Sequence, residues 1–216
     1  NEDNRAVMMD YQGDGLWKYT MELPASAKKF HYEYLVKSGE GIRREWGSPH
    51  SFSPGRNAGE YRLVDRWRDV PADLPFYSSA FIQGIFFRQH ADSVVETIEP
   101  GTLTVKVDAS QLRPDERLVM VGDCPELGDW DVLKAPLLND SSFPEWQITL
   151  DGRQLKFPFE YKFVIVRTHQ REVVAWETGE NRICREKPQN PSEAVVVSGL
   201  RFNGSESQWR GAGTAI

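Results

Sequence analysis

The chain has 216 residues, 39% of them hydrophobic and 12% aromatic, enough for one large or two small packed domains. Its 26 basic and 32 acidic residues leave a formal charge of −6, which argues against a nucleic-acid partner or an anionic membrane. No run approaches the roughly 18 apolar residues of a membrane span. Two cysteines, Cys124 and Cys184, are too few for a disulfide framework, so a reducing, cytoplasmic setting is expected.

Taken in chain order, the elements are strands. Trp17, Tyr19, Met21 and Leu23 alternate with Lys18, Thr20 and Glu22, and Phe30, Tyr32 and Tyr34 alternate with His31 and Glu33. Residues 74–87 are heavily apolar; left in water they would be an aggregation hazard, so 69–98 is expected to be a packed linker rather than a flexible tether. Leu103, Val105 and Val107 then alternate with Thr104, Lys106 and Asp108, and further strand-like runs fall at 118–121, 146–150, 159–166 and 194–197. Turn signals separate these short runs and no long helical period appears, which predicts an all-β sandwich.

A repeat lies inside this pattern. Trp17 precedes Tyr32 by 15 residues as Trp146 precedes Tyr161, and Trp46 follows Tyr32 by 14 where Trp176 follows Tyr161 by 15. Two copies of one small β module at an offset of 129 is the simplest reading. About 30 residues of strand precede the Gly-Asp-Trp turn of the second copy and have no counterpart before Asn1. The first copy is therefore expected to lack its first strands, which would expose sheet edges, and the parent protein to begin earlier.

Three segments of the second copy carry candidate chemistry: Val121-Gly-Asp-Cys-Pro-Glu-Leu-Gly-Asp-Trp130, Phe159-Glu-Tyr-Lys-Phe163, and Trp176-Glu-Thr-Gly-Glu-Asn-Arg182. Trp130 sits in a turn bounded by Pro125 and Gly128, where an indole is more readily exposed than in mid-strand. Trp176 ends an apolar run and reads, from the residues alone, as a ligand platform or an inward strand residue. Alternation turns Lys162 away from the core-facing Tyr161 and Phe163. Asn181 lies in a turn, where simple turn chemistry also suits it.

Together these segments closely resemble the family 20 carbohydrate-binding module, the starch-binding domain. The resemblance implies two immunoglobulin-like antiparallel β-sandwich modules in tandem, with Trp130 and Trp176 forming a platform for an α-1,4-glucan. Lys162 and Asn181 would then bond sugar hydroxyls, Asp123 would add a polar contact, and Glu177 and Arg182 would chiefly orient the loop. Flat aromatics suit the apolar C–H face of glucose and polar side chains its rim. Trp146 resembles the anchor of the family's second site but lacks a tyrosine on the preceding loop, so core and ligand roles stay equally open. In the first copy Trp46 matches Trp176 and Trp17 matches Trp146, while Glu33 replaces Lys162.

Catalysis is not expected of this chain. His31, His50, His90 and His169 have no metal-ligand spacing with either cysteine, and neither a nucleophile motif nor a Gly-rich phosphate loop is present, so neither cofactor nor metal is expected. The stretch Gln208-Trp-Arg-Gly-Ala-Gly-Thr-Ala-Ile216 resembles the lead-in to the catalytic barrel of family 77 4-α-glucanotransferases. The expected division is a truncated first module at 1–68, linker at 69–98, second module at 99–203 and connector at 204–216. The expected partners are an α-1,4-glucan (starch, glycogen or maltooligosaccharide) and a C-terminal catalytic barrel of the same polypeptide. The rival expectation is a structural or interdomain role with vestigial binding.

Overall fold

Strands form wherever the alternation is strong. The computed structural model describes residues 6–24, 26–57, 59–70 and 97–204, and the backbone of 210–215. The strands are β1 (Asp10–Gly13), β2 (Leu16–Met21), β3 (Phe30–Tyr32), β4 (Leu35–Ser38), β5 (Gly41–Arg44), β6 (His50–Phe52), β7 (Glu60–Arg66), β8 (Thr102–Asp108), β9 (Glu116–Gly122), β10 (Asn139–Ser142), β11 (Glu145–Asp151), β12 (Phe159–Arg167), β13 (Val173–Trp176), β14 (Arg182–Cys184), β15 (Glu193–Arg201) and β16 (Arg210–Ala215). A single 3₁₀ turn, Pro125–Leu127, is the one helical element among the described residues.

The all-β expectation is met. One sheet of eight strands runs β1-β2-β16-β7-β15-β8-β11-β10, and a second carries β13, β12 and β14 with β9 paired to β12. Pairing is antiparallel except that β15 runs parallel to both β7 and β8, and β16 parallel to β2. Between the two sheets lies a core of Leu103, Val105, Val107, Trp146, Ile148, Val195 and Val197 against Leu118, Met120, Phe159, Tyr161, Phe163 and Ile165.

The run at 194–197 lacks the polar alternation of its neighbours because both its faces are covered. Val195 and Val197 enter that core, whereas Ala194 and Val196 join a second cluster with Phe52, Tyr61, Leu63 and Ile98. β15 is thus a wall shared by two cores.

Residues 71–96, the apolar part of the expected linker, lie outside the described residues. At its end Ile98 is buried and exchanges backbone hydrogen bonds with Ser53 and Gly55. Residues 210–215, expected as a connector, form a strand between β2 and β7. β8 occupies the corresponding place between β11 and β15, but runs the opposite way relative to its neighbours.

Candidate functional site

The sheet that carries the motifs has two apolar faces. Its inner face fills the core; its outer face presents Val119, Val121, Val164 and Val166, over which Val132, Ala135 and Trp130 pack. Cross-strand register puts Trp176 opposite Val164, Val164 opposite Val119, and Lys162 opposite Val121. Paired residues share a face, so Trp130, Trp176 and Lys162 lie on the same outer surface.

Trp130 is held by its backbone. Gly128, Asp129 and Trp130 all have positive φ, at 82°, 49° and 65°. A Cβ at Gly128 would meet the Asp131 carbonyl oxygen at 2.7 Å, so only glycine fits there. A tryptophan in the left-handed region is costly and persists only where its surroundings over-determine it. Here the Trp130 N–H donates to the Gly122 carbonyl at 2.8 Å and the Asp129 N–H to that of Cys124 at 3.1 Å. Arg171 clips the far side of the loop, donating to the carbonyls of Leu133 and Ala135 at 2.8 Å each. The indole lies half-buried on the valines.

Trp176 ends β13 and is 42% exposed, beside exposed Val173 and Val174. The loop after it is tied from inside and outside. Inside, Arg182 and Glu177 form a buried two-point ion pair, Nε to Oε2 at 2.9 Å and Nη2 to Oε1 at 2.5 Å. Outside, the Lys162 ammonium donates to the carbonyls of Glu177, Gly179 and Glu180 at 3.2, 2.7 and 3.2 Å. Asn203 caps the same loop, accepting from the Thr178 N–H at 2.8 Å. Asn181 is exposed and donates to Glu160 Oε2 at 2.8 Å, while Asp123 accepts the Glu160 N–H at 3.0 Å. A polar rim of Asp123, Glu160, Lys162 and Asn181 therefore borders the two indoles.

Two residues named with the site turn inward. Trp146 is 0% exposed and donates its indole N–H to the Ala109 carbonyl at 3.2 Å, so it is a core residue with no face to offer. Glu177 is buried and its oxygens are engaged by Arg182 and by the N–H groups of Phe163 and Asn203, so it shapes the loop and does not face outward. In the first half, Trp46 is 45% exposed and its backbone N–H donates to the Arg68 carbonyl at 2.8 Å. Glu33, at the position of Lys162, is paired with Arg44. Trp17 is half-buried on β2, its ring 5.0 Å from that of exposed Tyr11. Sequence reasoning missed Tyr11, Glu160 and Asn203. Tyr11 had a signal, since it precedes Trp17 by six residues across the Gly-Asp-Gly turn of a hairpin.

Burial raises both thiols, Cys124 and Cys184, to about 11, which makes them inert packing groups and poor nucleophiles. Among the described residues no cluster of three His, Cys, Asp or Glu could hold a metal ion, and no helix is long and apolar enough to cross a membrane.

Comparison with known proteins reaches both halves of the chain. Residues 102–195 match the starch binding domain family. The family resemblance read from the motifs is met over that span, which supports carbohydrate binding with a glucan as ligand. The "4-alpha-glucanotransferase DPE2" of Oryza sativa subsp. japonica is 28% identical over 194 residues, which cover 84% of this chain and 20% of that protein. The chain thus spans a fifth of that relative's length. Among solved structures, the family 20 module of the maltotetraose-forming amylase from Pseudomonas saccharophila STB07 has a TM-score of 0.36 at 20% identity, covering 45% of this chain and 99% of that one. The gamma-CGTase from alkalophilic Bacillus clarkii has a TM-score of 0.37 at 25% identity, covering 48% and 15%.

Proposed function

We propose that this chain is the glucan-recruiting region of a longer 4-α-glucanotransferase, with starch-binding modules at 1–68 and 99–203 and the α-1,4-glucan held on the second. The observation that carries this is the common outer face of Trp130 and Trp176, bordered by Asp123, Lys162 and Asn181. The indoles take the C–H faces of successive glucose units. Asn181 exchanges its bond to Glu160 for sugar hydroxyls, and Lys162 keeps the loop in register through its three carbonyl contacts. Open sites of this kind bind modestly, with a Kd near 1 mM corresponding to about −4 kcal/mol. In the first module the Trp46 surface and the Tyr11–Trp17 pair are subsidiary contacts, because Glu33, paired with Arg44, stands where the second module has Lys162.

A second reading is favoured by β15: a strand shared by two cores suits a scaffold that fixes domains in place, with binding vestigial. Retention on insoluble starch separates the two. Recruitment requires that the wild type be retained, released by soluble maltoheptaose, and lost with Trp176→Ala. A folded wild type that flows through points to the scaffold.

A further inference from the structure

Where β7 meets β15, polar side chains are packed as tightly as the core around them. Asp65 and Ser198 are register partners across that parallel pair, and both are buried. The β-bulge at Gly199 accompanies a left-handed residue, φ 75°, where a Cβ would meet the Arg66 carbonyl oxygen at 2.2 Å. Ser198 Oγ stands 2.5 Å from Asp65 Oδ1 and 2.9 Å from His50 Nδ1. His50 is 3% exposed and turns Nε2 to Glu45, 2.9 Å from Oε1 and 3.0 Å from Oε2. The hydroxyls of Tyr32 and Tyr34 donate to Asp65 Oδ2 at 2.6 and 2.8 Å, and Arg68 Nε donates to Glu45 at 3.2 Å. Tyr32 stacks on the imidazole at 5.2 Å and Tyr34 meets its edge at 5.5 Å, which fixes the ring. From the other side Lys106, paired with Glu145, reaches the Ser51 carbonyl.

Counting protons constrains this chain of contacts. A carboxylate only accepts, and a serine has one proton to give. Burial, and then the charge of Asp65, keeps both phenols protonated, so Tyr32 and Tyr34 supply Oδ2. Burial opposes ionisation of Glu45, but the hydrogen bonds and charges of His50 and Arg68 outweigh it and hold its carboxyl below the usual range. If Ser198 gives its proton to Asp65, Nδ1 must bring its own; Nε2, facing ionised Glu45, must bring one too. The charges then balance as His50 and Arg68 against Glu45 and Asp65.

We propose that His50 carries both ring protons and, bridging Glu45 directly and Asp65 through Ser198, is a pH-sensitive latch that fastens the β3–β7 part of the chain to β15. Loss of either ring proton sets a bare nitrogen against an oxygen. Ser198 can turn to meet Nδ1, but Asp65 then loses one of its three donors inside the core. The latch therefore holds near neutral pH and loosens as pH rises. It is no hydrolytic triad, since neither the serine nor the histidine is open to solvent.

The test uses the whole chain with ¹⁵N-labelled histidine, His50 being assigned by the resonances missing in His50→Gln. At pH 7 the account expects both His50 nitrogens protonated and slow to exchange. A single ring proton on His50 at pH 7 would overturn the proposal. Amide exchange from pH 6 to 9, corrected for intrinsic rates, should show protection in β3 and β6 falling by about tenfold, the cost of one hydrogen bond to a charged group, while β9 and β12 change little. In Ser198→Ala that pH dependence should flatten; an unchanged profile would refute the latch.

Discussion

Replacing Glu177 by alanine tests how the loop between the platform and the rim is held. The Arg182 and Glu177 side chains are only 8% and 3% exposed, and they meet through two bonds at 2.9 and 2.5 Å. Deleting the carboxylate takes from a buried guanidinium its charged partner, leaving the Arg201 carbonyl at 2.9 Å and the Phe163 ring at 5.6 Å among its contacts. Breaking a buried pair in this way costs about 3–5 kcal/mol, a large part of the 5–15 kcal/mol that holds a typical domain together. The N–H groups of Phe163 and Asn203 lose an acceptor as well, at 3.4 and 3.3 Å, geometry too long to add much. Urea unfolding followed by tryptophan fluorescence, with the m-value unchanged, reads the difference. Removing both partners in Glu177→Leu/Arg182→Met should cost less than Glu177→Ala, because no buried charge is then left behind. A loss under about 1 kcal/mol for Glu177→Ala would show the pair to be solvated and refute the reasoning.

Further outcomes follow from the same geometry. Trp146→Ala should destabilise by about 3–5 kcal/mol through the cavity it opens, with glucan affinity of the remaining folded protein unchanged, as calorimetry below the melting transition would read. Lys162→Met should weaken glucan binding while lowering the unfolding free energy in urea by no more than about 1 kcal/mol, since two of its three carbonyl acceptors lie at the exposed edge of the loop. Burial favours the neutral thiol of Cys124 and Cys184, so the unfolded chain ionises first. That stabilisation is whole below about pH 8.5 and is lost as pH rises toward about 11. Native protein should resist iodoacetamide at pH 8 and label when unfolded, and a Cys124→Ala/Cys184→Ala variant should show a flatter fall in urea midpoint between pH 8.5 and 11.

Much of this was legible in local pattern, and what was missed is non-local. Alternation located β2, β3, β8, β11 and β12, although burial does not follow it throughout: Thr104 and Lys106 of β8 and Val164 and Val166 of β12 are buried as well. The same alternation could not tell whether Trp146 faced in or out, since an aromatic on a period-2 strand suits either side. Counting along a strand turned Lys162 outward but left Trp176 open between platform and core; their common face needs the cross-strand register, and the Lys162 contacts with three loop carbonyls depend on how 177–180 turns back. The continuous apolar run at 194–197 carried the signal of a strand buried on both sides, and that signal went unread. His50, Asp65 and Ser198 are separated by up to 148 residues and meet only once β7 and β15 pair. β16 is Arg-Gly-Ala-Gly-Thr-Ala, poor in strand formers, so its place comes from the neighbours that bind it rather than from propensity.

Glucan binding on the Trp130–Trp176 face is decided by titrating the chain with maltoheptaose in a calorimeter, beside Trp130→Ala and Trp176→Ala variants shown by circular dichroism to be folded. The wild type should bind saturably and both variants should lose binding, Trp176→Ala with its stability nearly intact. No heat from a folded wild type, or binding that survives both substitutions, would contradict it.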